Sequence, residues 1–245
     1  MTLLNAWKTG KQAHLFTDTA HLFRSGDVAA FGGKAIVAAS AFPAVIGISW
    51  AGHTRVTLET FGEPFAEARC KNVTALTRLM PLACQNFCDK VAAFTDDKAY
   101  VRAIAVVWCS RTRSPRIFHC ASTDEFGGAL TTREVDYFLG GGSTSPKVAD
   151  YGQRFAAGLR VNADSDAIAI ADAQRVEPMD TECGWGRVYG IGGSLQKITV
   201  SRDGATGGII HEWPDRVGEP IRVDQDPSER ITLSEATRRA PRMPS

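Results

Sequence analysis

The 245-residue sequence has no long unbroken apolar run, no CxxC pair, no histidines at metal-ligand spacing and no excess of charge of either sign. Each absence removes a class of protein. The longest apolar stretch, Ala35 to Ala51, is interrupted by Ser40, Pro43, Gly47 and Ser49, whereas a membrane-spanning helix needs about 20 predominantly apolar residues. The first eighteen positions carry Lys8, Lys11 and His14 and hold no apolar core of the kind a secretory leader requires. A cytoplasmic location, with no membrane partner, is the resulting expectation. The formal net charge of +1 gives no electrostatic reason to expect nucleic acid or an anionic surface as partner.

The six cysteines (Cys70, Cys84, Cys88, Cys109, Cys120 and Cys183) follow neither a zinc pattern nor a disulfide framework. They are expected to be thiols, mostly buried as small apolar groups. His14, His21, His53, His119 and His211 are scattered, so no metal and no cofactor is expected. The glycines from Gly184 to Gly190 lack dinucleotide-loop spacing, and Gly140 to Gly142 lack the lysine-serine ending of a phosphate loop. Arg111, Arg113 and Arg116 read as a solvated hairpin tip. No internal repeat is present.

What remains is an ordinary globular composition, 44% apolar and 22% charged, long enough to bury a substantial core. Short strand-like runs separated by glycine turns fill the first fifty residues, including a turn at Lys8-Thr9-Gly10-Lys11 and a strand from Gln12 to Thr17. From Thr57 to Phe94 the periodicity is helical, in two segments divided near Lys71-Asn72. The second segment carries Leu76, Leu79, Met80, Ala83, Phe87 and Val91 on one stripe. Strands return at Ala99–Ser110 and Arg116–Ser122 as a hairpin. A short helix is expected within Thr131–Leu139, and two more helices over Asp150–Leu159 and Asp164–Arg175. A last hairpin, Leu195–Val200 and Gly207–Glu212, turns around Asp203-Gly204.

Strands, helix pair, strands, helix pair, strands: this order gives an α+β fold. The expected form is a four-layer αββα sandwich, two stacked and mainly antiparallel sheets with helices on both outer faces. One domain over residues 1–223 is expected, followed by a polar C-terminal extension, 224–245, with Arg230, Arg238, Arg239 and Arg242.

Three chemistry-bearing residues stand out in the first strands. Thr2 would become the first residue if Met1 were removed, Asp18 follows sixteen positions later, and Lys34 sixteen after that. Singly, each has a plain reading: a small second residue, a turn aspartate, a strand-end lysine with its head in water. In this order on this strand pattern, closing with Ala51-Gly52, they resemble the proteasome β-type subunits among the N-terminal-nucleophile hydrolases. The resemblance is strongest over Thr2 to Gly52. Asp180-Thr181-Glu182-Cys183-Gly184 resembles that family's Asp-x-x-Ser-Gly segment, with Cys183 where the serine stands, and Gly142-Ser143 is similar to its mid-chain Gly-Ser.

The resemblance implies a threonine-type peptidase or amidohydrolase acting on a peptide or amide. The site residues would be Thr2, Asp18, Lys34, Gly52, Ser143, Asp180 and Cys183. Thr2 would supply both the hydroxyl nucleophile and, through its free α-amine, the base. Lys34 would place a positive charge beside it, Asp18 would hold the ammonium, and the Gly52 amide would face the oxyanion. It also implies a homo-oligomer, with a ring as one form. The alternative is a catalytically inactive subunit of the same fold with a structural or assembly role in a bacterium or phage. With Met1 retained, the amine of Thr2 is locked in a peptide bond and no base is present. A thiol enzyme using Cys183 or Cys109 is a third reading, without a paired histidine to support it.

Overall fold

The computed structural model describes residues 2–23, 25–51, 56–96, 99–124, 128–140, 145–180 and 187–223, with backbone alone for Met179, Asp180 and Arg187. The C-terminal extension expected over 224–245 lies outside them. Among the described residues the chain has a mixed α/β fold built on two five-stranded antiparallel sheets and four helices.

The first sheet begins with the hairpin β1 (Leu4–Thr9) and β2 (Gln12–Asp18), turning at Gly10 with φ of +58°, a left-handed conformation that suits glycine. A small ribbon follows, β3 (Ala20–Leu22) with β4 (Val28–Phe31). The second sheet then starts with β5 (Ala35–Val37) and β6 (Ala44–Ala51). Helices α1 (Leu58–Glu67) and α2 (Val73–Ala92) come next; Asn72 caps α2 by accepting the Ala75 amide at 2.9 Å. The α2 stripe is buried at Leu76, Met80, Ala83, Cys84, Phe87 and Val91, with Leu79 half-buried at its margin.

The chain returns to the second sheet as the hairpin β7 (Tyr100–Cys109) and β8 (Ser114–Ala121). Arg116 is not a free solvated arginine of its tip: it forms an ion pair with Glu134. The short helix expected within Thr131–Leu139 is absent. That stretch is β9 (Arg133–Val135), paired with β8, then β10 (Tyr137–Gly140), paired with β1. A period of two wins over helical spacing because neighbouring side chains enter different cores: Phe138 packs with Leu4 and Leu15, whereas Tyr137 and Leu139 pack with Trp7 and Phe16. The chain thus crosses from one sheet to the other at Asp136, whose carboxylate accepts from Lys8 at 2.7 Å.

Helix α3 (Pro146–Ala156) starts earlier than its periodicity predicts, because Pro146 fits the first helical position. Helix α4 (Ser165–Arg175) begins beside Asp164, yet Asn162 serves as the acceptor there, taking the Asp164 and Ser165 amides at 2.9 and 3.0 Å. After the two-residue strands β11 (Met179–Asp180) and β12 (Arg187–Val188), the hairpin β13 (Ser194–Ser201) and β14 (Gly204–Glu212) completes the first sheet in the order β10-β1-β2-β13-β14. The second runs β5-β6-β7-β8-β9.

Three large apolar clusters among the described residues hold the sheets and helices together, and a small one, Ala20, Val28 and Ile221, holds the β3–β4 ribbon. One large cluster packs α1 and α2 residues such as Phe61 and Phe87 against Ile46, Ile48, Ala103 and Ala105 of the second sheet. Another packs Val148, Tyr151, Ile170 and Ala171 of α3 and α4 against Leu3, Trp7, Phe16 and Leu195. The third joins the sheets, Leu4, Leu15 and Val200 meeting Val45, Ile104, Val106 and Ile117. Each fully buried Leu, Ile or Phe contributes about 1.5–3 kcal/mol, so the clusters fix the relation between strand ends that the candidate site needs.

Candidate active site

Asp18 is the last residue of β2, and its side chain is completely buried. One carboxylate oxygen, Oδ1, accepts the Leu3 amide at 2.9 Å and the Lys34 ammonium at 2.9 Å. The other, Oδ2, accepts the Gly192 amide at 3.2 Å. Two such contacts on a single oxygen keep the Leu3 nitrogen and Lys34 Nζ within about 6 Å of each other. Leu3 follows Thr2 directly, so the same carboxylate fixes the backbone next to Thr2, which is itself buried.

Lys34 reaches this point from just before β5. Its carbonyl accepts the Ile48 amide at 2.9 Å, and the preceding Gly32 donates to the Thr19 carbonyl at 2.9 Å. The lysine is therefore docked to β6 on one side and to the β2–β3 junction on the other. With 1% of its side chain exposed it is a buried cation, and such a charge persists only beside a partner. Burial pushes the Lys34 ammonium below the usual lysine range; the charge of Asp18 and its hydrogen bond pull it partly back.

His21 lies close enough to feel the pair. Its imidazole is half-buried, with its ring centroid 5.4 Å from that of Trp50. Burial lowers its pKa, the neighbouring Lys34 charge lowers it further, and Asp18 opposes the shift. A neutral imidazole against an indole gives this side of the site an apolar, aromatic border.

The structure thus brings together Asp18, Lys34 and the chain beside Thr2. Asp180 lies in β11, its backbone paired with Arg187 of β12. Gly52, Ser143 and Cys183 lie outside the described residues. Cys109, the other thiol considered from sequence, is buried at the end of β7. Burial pushes this thiol up, but Thr112, the backbone at 111 and 112, and Arg116 outweigh that and bring it below its ordinary value. Among the described residues no group of three or more His, Cys, Asp or Glu side chains could hold a metal ion.

Sequence reasoning missed Gly192 and Gly193. Both sit in the glycine-rich loop before β13, but nothing local ties them to a carboxylate 174 residues away. It also missed His21, whose nearness to Lys34 follows from the β3–β4 ribbon alone.

Comparison with known proteins rests on structure. No family model matches the chain, and no curated protein does. Among solved structures, the Anbu (Gly-1) mutant from Hyphomicrobium sp. strain MC1 aligns with a TM-score of 0.57 at 13% identity, over 88% of this chain and 90% of that one. This chain shares the Anbu fold. Anbu from Yersinia bercovieri, described as an ancestral beta-subunit, aligns with a TM-score of 0.55 at 10% identity, over 86% and 87% of the two chains. The Anbu likeness extends over most of both chains. At this identity it is a likeness of fold.

Proposed function

We propose that this chain is a proteasome-like subunit with the four-layer αββα arrangement, and that Thr2, freed by removal of Met1, is a hydrolytic nucleophile. The observation that carries this reading is the buried Asp18 carboxylate, with one oxygen shared between the Lys34 ammonium and the amide that follows Thr2. A buried lysine is costly, and a site that needs a cation beside a hydroxyl gives it a purpose.

In the proposed reaction the α-amine of Thr2 takes the hydroxyl proton, its reference pKa near ~8 lying close to working pH. Oγ attacks the carbonyl carbon of a peptide or amide, and the C–N bond breaks as the proton passes to the leaving nitrogen. Water then hydrolyses the ester and restores Thr2. Lys34 offsets the developing negative charge at Oγ, and Asp18 keeps its ammonium in place. The Gly52 amide would serve the oxyanion, a contribution of roughly 3 kcal/mol; Ser143, Asp180 and Cys183 would complete the surrounding hydrogen bonds. Fold likeness to an ancestral beta-subunit supports assembly into a homo-oligomer that shields the site.

A second reading, an inactive subunit with an assembly role, is favoured by one feature, the cysteine at position 183 where the resembling segment has serine. Intact mass separates the two. Protein from its natural host lacking one methionine, labelled by an epoxyketone and inert after Thr2→Ala, supports the hydrolase. Retained Met1 with no labelling supports the structural role.

A further inference from the structure

The Gly192 amide that completes Asp18 is not held by the sheet alone. Arg175, at the end of α4, is almost fully buried and points at the same turn. Its Nη1 donates to the Ile191 carbonyl at 2.6 Å and to Asp215 Oδ2 at 2.8 Å, while Nη2 donates to Asp215 Oδ1 at 2.6 Å and to the Arg222 carbonyl at 2.6 Å. Asp215 Oδ2 also accepts the Gly193 amide at 2.8 Å. The Asp215 side chain has no exposed surface, and the Trp213 ring lies 5.1 Å from the Arg175 guanidinium.

The turn is gripped from the other side too. The Gly192 carbonyl accepts the Thr19 and Ala20 amides at 3.3 and 3.1 Å, and the Thr19 hydroxyl accepts the Ser194 amide at 2.9 Å. Both glycines are needed for so close a fit. A Cβ at Gly192 would stand 2.6 Å from Asp215 Oδ2 and 2.8 Å from Ile221 Cδ1. At Gly193, with φ of +75°, it would stand 2.5 Å from the Thr19 hydroxyl.

We propose that the Arg175–Asp215 ion pair is the positioning clamp of the candidate site: it fixes the 191–193 turn so that the Gly192 amide orients the Asp18 carboxylate, and through it the Lys34 ammonium. Arg175 and Asp215 are positioning residues and do not touch the reacting atoms. The segment 213–222, which lies past the last strand, thereby becomes part of the site's machinery. A bidentate guanidinium–carboxylate contact suits this task because it sets an angle as well as a distance. In its catalytic meaning the inference rests on the hydrolase reading; in its geometry it does not.

The test separates the two. In full-length protein with 13C-labelled lysines, the titration of the Lys34 side chain is followed by NMR in the parent, Asp215→Asn and the milder Arg175→Lys. Asn72→Ala is the control, since it removes the acceptor of the Ala75 amide at the start of α2 and makes no contact with the turn. Loosening the turn weakens the hold of Asp18 on a lysine that stays buried, so its midpoint is expected to fall by half a unit or more in both clamp variants. The control should lose thermal stability with the Lys34 midpoint unmoved. Should Asp215→Asn not fold, Arg175→Lys alone decides the matter. A Lys34 midpoint unchanged or raised in folded clamp variants overturns the proposal. Where the parent hydrolyses a peptide amide, kcat is expected to fall at least tenfold in Arg175→Lys at unchanged KM. A parent without activity defeats the hydrolase reading and leaves the clamp to be judged by the titration.

Discussion

The Asp18–Lys34 pair allows a quantitative test, because its two charges are 0% and 1% exposed and 2.9 Å apart. Asp18→Asn keeps the shape but removes the counter-charge of Lys34 and turns a carboxamide toward an amide donor. Breaking a buried pair from one side costs about 3–5 kcal/mol. Lys34→Met fills similar volume and leaves a carboxylate that still accepts from Leu3 and Gly192. Its cost is expected near the lower end, about 3 kcal/mol. The double variant removes both charges, so its loss should fall short of the sum by about 2–3 kcal/mol. Urea unfolding of the four proteins at about pH 7 gives these numbers from midpoints at constant slope. The pH dependence supplies a second check. Folded Lys34 titrates below its unfolded value, so the unfolded chain binds the extra proton between the two. Stability should therefore rise with pH across the window that ends near ~10.4, and Lys34→Met should flatten that rise. Single losses that add within about 0.5 kcal/mol, or an unchanged slope in Lys34→Met, would refute the pairing.

His14 gives the opposite end of the pH scale. Burial first, then Lys197, lowers its pKa to about 4, with its ring nitrogens 2.6 Å from the Thr9 and 2.9 Å from the Thr199 hydroxyl. Its contribution is fully present above the unfolded pKa of ~6.5 and is lost as pH falls toward about 4, at most about 3 kcal/mol; His14→Gln should remove that dependence in acid unfolding. Gly47→Ala would place a Cβ 2.9 Å from both Leu4 and Leu15 between the sheets, costing about 1–3 kcal/mol by overpacking, measured as a fall in urea midpoint. Asn72→Ala removes the acceptor of the Ala75 amide at the start of α2 and should cost about 1 kcal/mol in thermal unfolding.

The hairpins and the α2 stripe were legible in the sequence because their signals are local. A glycine at position 10 or 204, with φ of +58° and +135°, lets the chain take the left-handed conformation that a tight turn needs at little steric cost. The apolar period along 76–91 needs only one face to be covered. Spacing along the first strands also carried Asp18 and Lys34 to the same place, since a hairpin and a ribbon of fixed rise leave few ways to separate them. The strands at 133–140 were not legible, because a segment this short switches sheets at one residue and only the two cores decide its period. Nor was the hold of Gly192, Arg175 and Asp215 on the site: residues 174 positions apart, or 40 apart across a hairpin, meet only when the sheet closes. The sequence by itself determined that Asp18 and Lys34 are candidate site residues and roughly which strands bear them. Tertiary structure alone decided which backbone amides and which buried charges orient them, since those contacts depend on packing distance and have no period along the chain.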